Sequence, residues 1–253
     1  MDLVLGPDNL SVPFSFSIPT HTPEGNEVKR VGVWSSGGHD SGAMLCLVMA
    51  ELKATGRLNT ISVTAFTIVK GEGSTYYSDR VVNKIAEHFG VHIEHVNNLE
   101  NNEPAYSLGR IGNYSIKNMW EQNHNDMIIY MSINRMAPDE IRPFNHTLKI
   151  FYKGNNPLYE SPFLLLHKPQ ITDIYYQLGC EDIIPWTHSC TVLAVGQCED
   201  CYSCKEREWG LTALGKPKTD TIPPDINDVS FGGTWVHPDF LIPALPVLPT
   251  PNG

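Results

Sequence analysis

The chain lacks any run approaching the ~20 apolar residues of a membrane span and carries a mean hydropathy of −0.21, which argues against a membrane protein. It also lacks a cationic excess. Lys and Arg number 18 against 28 Asp and Glu, a net charge of −10. Nucleic-acid binding draws on clustered cations that neutralise phosphates, and here they are scattered, so no nucleic-acid partner and no anionic membrane surface is expected. A small basic pocket for one nucleotide stays compatible, because net charge governs solubility and steering rather than a local site. A basic N-terminal region followed by a short apolar stretch is missing too. Asp2 stands where a secretory signal carries Lys or Arg, and Pro7 interrupts the stretch early. The expected location is cytoplasmic. Cysteine is sparse, six in 253 residues, too few for a disulfide scaffold.

What is present falls into four stretches. Residues 1–30 hold Pro7, Pro13, Pro19 and Pro23 and read as an irregular arm with at most one edge strand, since proline removes a ladder donor. Residues 31–180 carry an α/β pattern. Residues 29–34 form a strand, 35–41 a tight loop, and 42–52 an apolar helix with Gly56 as a stop. Residues 60–69, rich in β-branched side chains, form the next strand. Val81, Val82, Ile85 and Phe89 recur at helical spacing over 77–89, with Gly90 as the end signal. Residues 91–96 continue as a strand, 111–120 as a helix and 127–133 as a buried strand, and 162–180 as loop then helix. Strand and helix alternating with short joints predicts a doubly wound parallel sheet. Residues 181–215 contain a cysteine-rich segment packed on that domain. Residues 216–253 hold eight prolines and read as a tail or surface strap. A domain of this size buries roughly 70–75% of its unfolded surface and needs no staples.

Two motifs carry chemistry. Ser36-Gly37-Gly38-His39-Asp40-Ser41 lies between a strand and a helix start. Glycines without Cβ let backbone N–H groups approach an anion. A helix N-terminus adds free donors and the positive end of its dipole. Ser36 and Ser41 offer hydroxyls, and Asp40 is a carboxylate suited to Mg²⁺ bound with phosphates. His39, at the variable position of the string, is expected to face solvent. A Ser/Gly turn with an aspartate cap is the plain alternative. Neither a Walker A loop nor a dinucleotide fingerprint fits the glycine spacing. The second motif is Cys190, Cys198, Cys201 and Cys204, spaced C-x7-C-x2-C-x2-C. Four cysteines in a loop-like segment suit a closed, structural Zn²⁺ site, and an iron–sulfur cluster fits the same spacing. Cys46 and Cys180 read as small core residues.

The glycine string resembles the SGGxDS pyrophosphate loop of the N-type ATP pyrophosphatases. That resemblance implies an adenine-nucleotide α-hydrolase fold and adenylation of a substrate, the departing pyrophosphate held by Ser36, Gly37, Gly38, His39, Asp40 and Ser41. With the cysteine spacing added, residues 30–210 resemble the 7-cyano-7-deazaguanine synthase family. Ser161-Pro162-Phe163, Lys168, Ile171, Leu178-Gly179 and Trp186 follow in the family's order. Pro138-Asp139 with Arg142-Pro143-Phe144 is similar to its "YPDCRPEF" with one residue inserted, and Gly109-Arg110-Ile111-Gly112-Asn113 loosely resembles "PxRN". The family implies conversion of 7-carboxy-7-deazaguanine, ammonia and ATP to the nitrile, through an adenylated carboxylate and then an amide. By that resemblance Asp40 holds Mg²⁺ and Lys168 meets phosphate. Asp139 holds the guanine-like edge, and Arg142 and Arg110 complete the substrate pocket. Phe66, or the backbone after the strand that carries it, is placed to pack on adenine by position alone. No glutaminase segment is visible, so free ammonia is the expected nitrogen source. A homodimer is left open. Two alternatives remain: a related ATP pyrophosphatase with a different carboxylate or amide acceptor, and a non-catalytic zinc or nucleotide module.

Overall fold

The computed structural model describes residues 1–68, 74–98, 125–138, 140–141, 160–193 and 195–223. Residues Met1–Ile222 form one compact unit. Among the described residues, no helix is long and apolar enough to cross a membrane.

The core is a parallel four-stranded sheet. Its strands are β3 (Arg30–Trp34), β4 (Ser62–Ile68), β5 (Glu94–Asn98) and β6 (Met127–Tyr130), in the order β5-β4-β3-β6. The chain winds from β3 outward through β4 to β5, then returns to place β6 on β3's other edge. The strand order therefore reverses between β3 and β6. In open α/β sheets such a switch point, at the carboxyl ends of the strands, is where ligands bind. The α/β class and the parallel sheet agree with the sequence.

Strand alternation sorts side chains to two faces. Val31, Val33, Val63 and Ala65 join one core with α1 (His39–Ala54) and α2 (Ser74–Phe89). Phe66, Met127 and Ile129 form a second cluster, joined by Trp34 and Met131. Helix α1 is apolar nearly all round, and Met44, Leu45, Cys46, Leu47 and Val48 are each fully buried. Each such large side chain contributes about 1.5–3 kcal/mol over leaving it in water. Helix α2 is one-sided by contrast, burying Tyr77, Val81, Val82 and Ile85, as its 3.6-residue spacing requires. Cys46 and Cys180 are both fully buried core residues.

The N-terminal stretch corrects the expectation of an irregular arm. β1 (Asp2–Leu5) and β2 (Val12–Ser15) form an antiparallel hairpin, Val4 opposite Pro13. Proline is tolerated because this sheet has only two strands and every strand is an edge. Leu5, Phe14, Phe16 and Ile18 enter the main core. Helix α3 (Lys168–Gln177) anchors the hairpin by side chain to backbone bonds: Gln170 to the Leu10 carbonyl (2.6 Å), Gln177 to the Val4 carbonyl (2.6 Å), and Asp173 from the Gly6 amide (3.0 Å).

After α3 come a 3-10 stretch (Glu181–Trp186) and α4 (Tyr202–Thr212). Arg207 of α4 is almost fully buried, and its guanidinium donates to the carbonyls of Thr187 (2.9 Å) and Ile184 (2.8 Å). The chain after α4 lies along this segment, the Ile222 amide donating to the Pro185 carbonyl at 2.7 Å. The helix expected over 111–120 and the tail from residue 224 onward lie outside the described residues.

Candidate functional site

The Ser36–Ser41 loop leaves the carboxyl end of β3 and runs into α1, whose N-cap is Gly38. Its shape is set by short-range bonds. The Ser36 amide donates to Ser41 Oγ (3.1 Å), the Gly38 amide to Ser36 Oγ (3.3 Å), and Ser41 Oγ to the Gly38 carbonyl (3.1 Å). Gly37 has φ +70°, and a Cβ there would lie 2.5 Å from the Tyr77 carbonyl carbon. Both the left-handed backbone and the press of α2 therefore demand glycine. Beneath the loop, Ser78 Oγ donates to Ser35 Oγ (2.8 Å) and Thr67 Oγ1 to the Ser35 carbonyl (2.8 Å), with His95 Nε2 2.8 Å from Thr67 Oγ1.

The loop forms one wall of an open cavity of about 200 Å³, roughly the liquid volume of seven waters. Ser36, Gly38, His39 and Asp40 line it from the loop and Ser132 from beyond β6, at the switch point. Opposite stand Lys168 of α3, His188 to Thr191, and Ser203 and Glu206 of α4. The cysteine segment is thus joined to the loop. The His188 amide donates to the Gly37 carbonyl (2.8 Å), and the His39 amide to Ser189 Oγ (3.4 Å).

At the floor, Lys168 Nζ donates to both Asp40 oxygens (2.5 and 2.6 Å) and pairs with Glu206 Oε2 at 3.0 Å. Lys168 is only 3% exposed, which places it deep in the site rather than on the surface where long cations usually sit. Burial alone would depress its ammonium, but Asp40 and Glu206 reverse this and hold it above the usual lysine range. Burial pushes the Asp40 carboxyl up and Glu206 adds to it, while Lys168 pulls the other way. Two carboxylates thus face one ammonium, and the buried Arg207 guanidinium also acts on Asp40.

His39 corrects an expectation. Its side chain is 1% exposed and turned inward, Nε2 2.9 Å from Thr172 Oγ1, its ring against Tyr175 (5.0 Å between centroids). Burial, then Arg207 and Lys168, hold its pKa well below the usual value, so the ring is neutral. It faces α3 because the first residue of α1 points at the junction where α3 crosses, and Tyr175 Oη donates to its carbonyl (2.7 Å).

The four cysteines converge, all four sulfurs within 4.8 Å of one another. The Leu193 amide donates to Cys190 Sγ (3.2 Å) and the Cys201 amide to Cys198 Sγ (3.3 Å). Burial opposes ionisation of Cys201, yet hydrogen bonds from the backbone at Thr191 and Cys204 and from neighbouring thiols bring it down to about 6. Burial and the Cys201 thiol push Cys204 up. Such a cluster can hold a metal ion.

Asp139, Arg142 and Arg110 lie outside the described residues. Phe66 is buried against Trp34 (5.8 Å between rings) in the second core cluster and does not line the cavity. Glu206, Ser132 and Ser189 escape sequence reasoning, although Glu206 stands only two residues beyond Cys204.

No model of a known protein family and no curated protein matches the chain. Among solved structures it is similar to the U34-tRNA thiolase of Methanococcus maripaludis, solved with its [4Fe-4S] cluster. The TM-score is 0.41 and the identity 15%, with 64% of this chain and 61% of that one covered. The chain thus spans about three fifths of that protein's length, and likeness at this level assigns it neither a reaction nor a cluster.

Proposed function

We propose that the protein is an ATP pyrophosphatase that activates a carboxylate by adenylation. The observation that carries this reading is the Ser36–Ser41 loop, opening α1 at the switch point and lining a cavity with the buried Lys168, which contacts Asp40 of the loop. The loop amides and the α1 dipole stabilise the charge of departing pyrophosphate. Lys168 supplies a fixed positive charge, and Asp40 is the carboxylate to hold the Mg²⁺ that accompanies ATP. When bound, Mg²⁺ neutralises phosphate charge. The protein's own contribution is positioning.

The resemblance over residues 30–210 supports 7-carboxy-7-deazaguanine as acceptor and ammonia as nucleophile. A carboxylate oxygen leaves poorly; as part of AMP it leaves readily, so ammonia gives the amide. A second activation of the amide oxygen then permits dehydration to the nitrile. Asp139, Arg142 and Arg110 are the proposed acceptor contacts. Incubating the protein with ATP, Mg²⁺, ammonia and 7-carboxy-7-deazaguanine should yield AMP, pyrophosphate and the nitrile. AMP formed only with other carboxylates or amides would assign a different acceptor. No AMP with any of them would refute the enzymatic reading.

For the cysteines we infer zinc. Tetrahedral Zn²⁺ with Zn–S bonds of 2.3 Å sets its sulfurs about 3.8 Å apart, and the Cys198–Cys204 sulfur separation is 4.0 Å. A four-iron cubane interposes an iron–iron edge between each pair of ligands and needs a wider cage than 4.8 Å. Metal analysis of protein purified without oxygen should give one zinc and no acid-labile sulfide.

A further inference from the structure

Lys168 has two partners, and only Asp40 belongs to the loop. Asp40 spends both carboxylate oxygens on the ammonium, so turning toward a cation on bound phosphates weakens that pair. An ammonium as buried as Lys168 cannot be left uncompensated without heavy cost. Glu206 answers this. Its Oε2 is 3.0 Å from Lys168 Nζ and its side chain is 7% exposed. Its other oxygen accepts from Tyr202 Oη (2.8 Å), which itself accepts the Ala137 amide (3.1 Å). The helix carrying it sits close because residue 210 is glycine: a Cβ there would come within 2.7 Å of Lys168 Cγ.

We propose that Glu206 is a positioning residue that keeps Lys168 paired and in place when Asp40 turns to the divalent cation of the bound nucleotide; this rests on the ATP-pyrophosphatase reading. Glu206 is thus the second carboxylate on the ammonium that Asp40 also holds. Without it, the cation must compete with the ammonium for the single carboxylate of Asp40.

The test uses the full chain, loaded with its cysteine-bound metal, and Mn²⁺ with inorganic pyrophosphate as probe, read by electron paramagnetic resonance and calorimetry. Glu206→Gln keeps the size and the Tyr202 contact but removes the charge. Its Mn²⁺ affinity in the presence of pyrophosphate should fall about tenfold or more, with zinc content unchanged, and Glu206→Asp should recover part of the loss. A merely structural glutamate would leave that affinity unmoved. Should Glu206→Gln not fold, Tyr202→Phe decides, with a loss of a few-fold expected. Unchanged affinity in the folded variant overturns the role of Glu206. If the native protein itself binds no Mn²⁺ with pyrophosphate, the ATP reading falls first and this inference with it.

Discussion

The two walls of the cavity are made differently. The loop wall is largely local: a strand, six residues and a helix, its own turns closed by bonds spanning five residues or fewer, with α2 pressing on Gly37 and the cysteine segment bonded to its far side. The opposite wall is assembled from α3, the cysteine segment and α4, whose parts meet only through long-range contacts and a cluster of four sulfurs. A local wall keeps its shape as long as its strand and helix are held. The assembled wall depends on whatever holds the cysteines. The proposed chemistry is divided between them, amide donors on one side and the lysine that meets Asp40 on the other.

That contrast is broken most severely by removing the metal. Structural zinc is worth about 10–16 kcal/mol in finger peptides, so Cys201→Ser should lose the bound metal and show the largest fall in melting temperature. Hydrogen exchange should rise in residues 187–212 while β3 and α1 stay protected. Equal loss of protection in both walls would erase the distinction. Next comes Lys168→Met, which strands two largely buried carboxylates and should cost about 3–5 kcal/mol in denaturant unfolding. The metal should be retained. Gly37→Ala attacks the loop wall first. A left-handed alanine costs about 1–2 kcal/mol, and the clash with Tyr77 adds to it, so pyrophosphate affinity should drop with zinc content unchanged.

The smallest effect sharpens the join between the walls. His39 has a depressed pKa in the folded state, so the native ring stays neutral while the unfolded chain takes up a proton below about pH 6.5. Stability is therefore retained above that pH and falls as pH drops below it, by roughly 1.4 kcal/mol per pH unit for this group. His39→Gln should flatten part of the acid limb of a stability-against-pH curve. An unaltered slope would mean the ring is protonated in the folded protein.

Sequence made the local wall legible and the assembled wall only partly so. The β3–loop–α1 unit, the buried strand β6 and helix α2 follow from short-range periodicity and glycine placement. So does the convergence of the cysteines, because C-x2-C turns bring sulfurs together locally. The β1–β2 hairpin was hidden by its prolines, which mark an edge without saying what pairs with it. Lys168 is picked out by the resemblance as a phosphate contact, but nothing within the helix tells of carboxylates 128 residues before it and 38 after it. His39 was misplaced for a related reason: the direction of a side chain at a helix start is set by the helix that crosses it, here α3 with Tyr175 and Thr172.

A crystal of the metal-loaded protein soaked with Mg²⁺ and a nonhydrolysable ATP analogue puts the division of labour to its most direct trial. The β- and γ-phosphates should lie on the amides of residues 36–41, facing Lys168. Phosphates bound elsewhere, with that loop empty, would contradict the proposed chemistry of both walls.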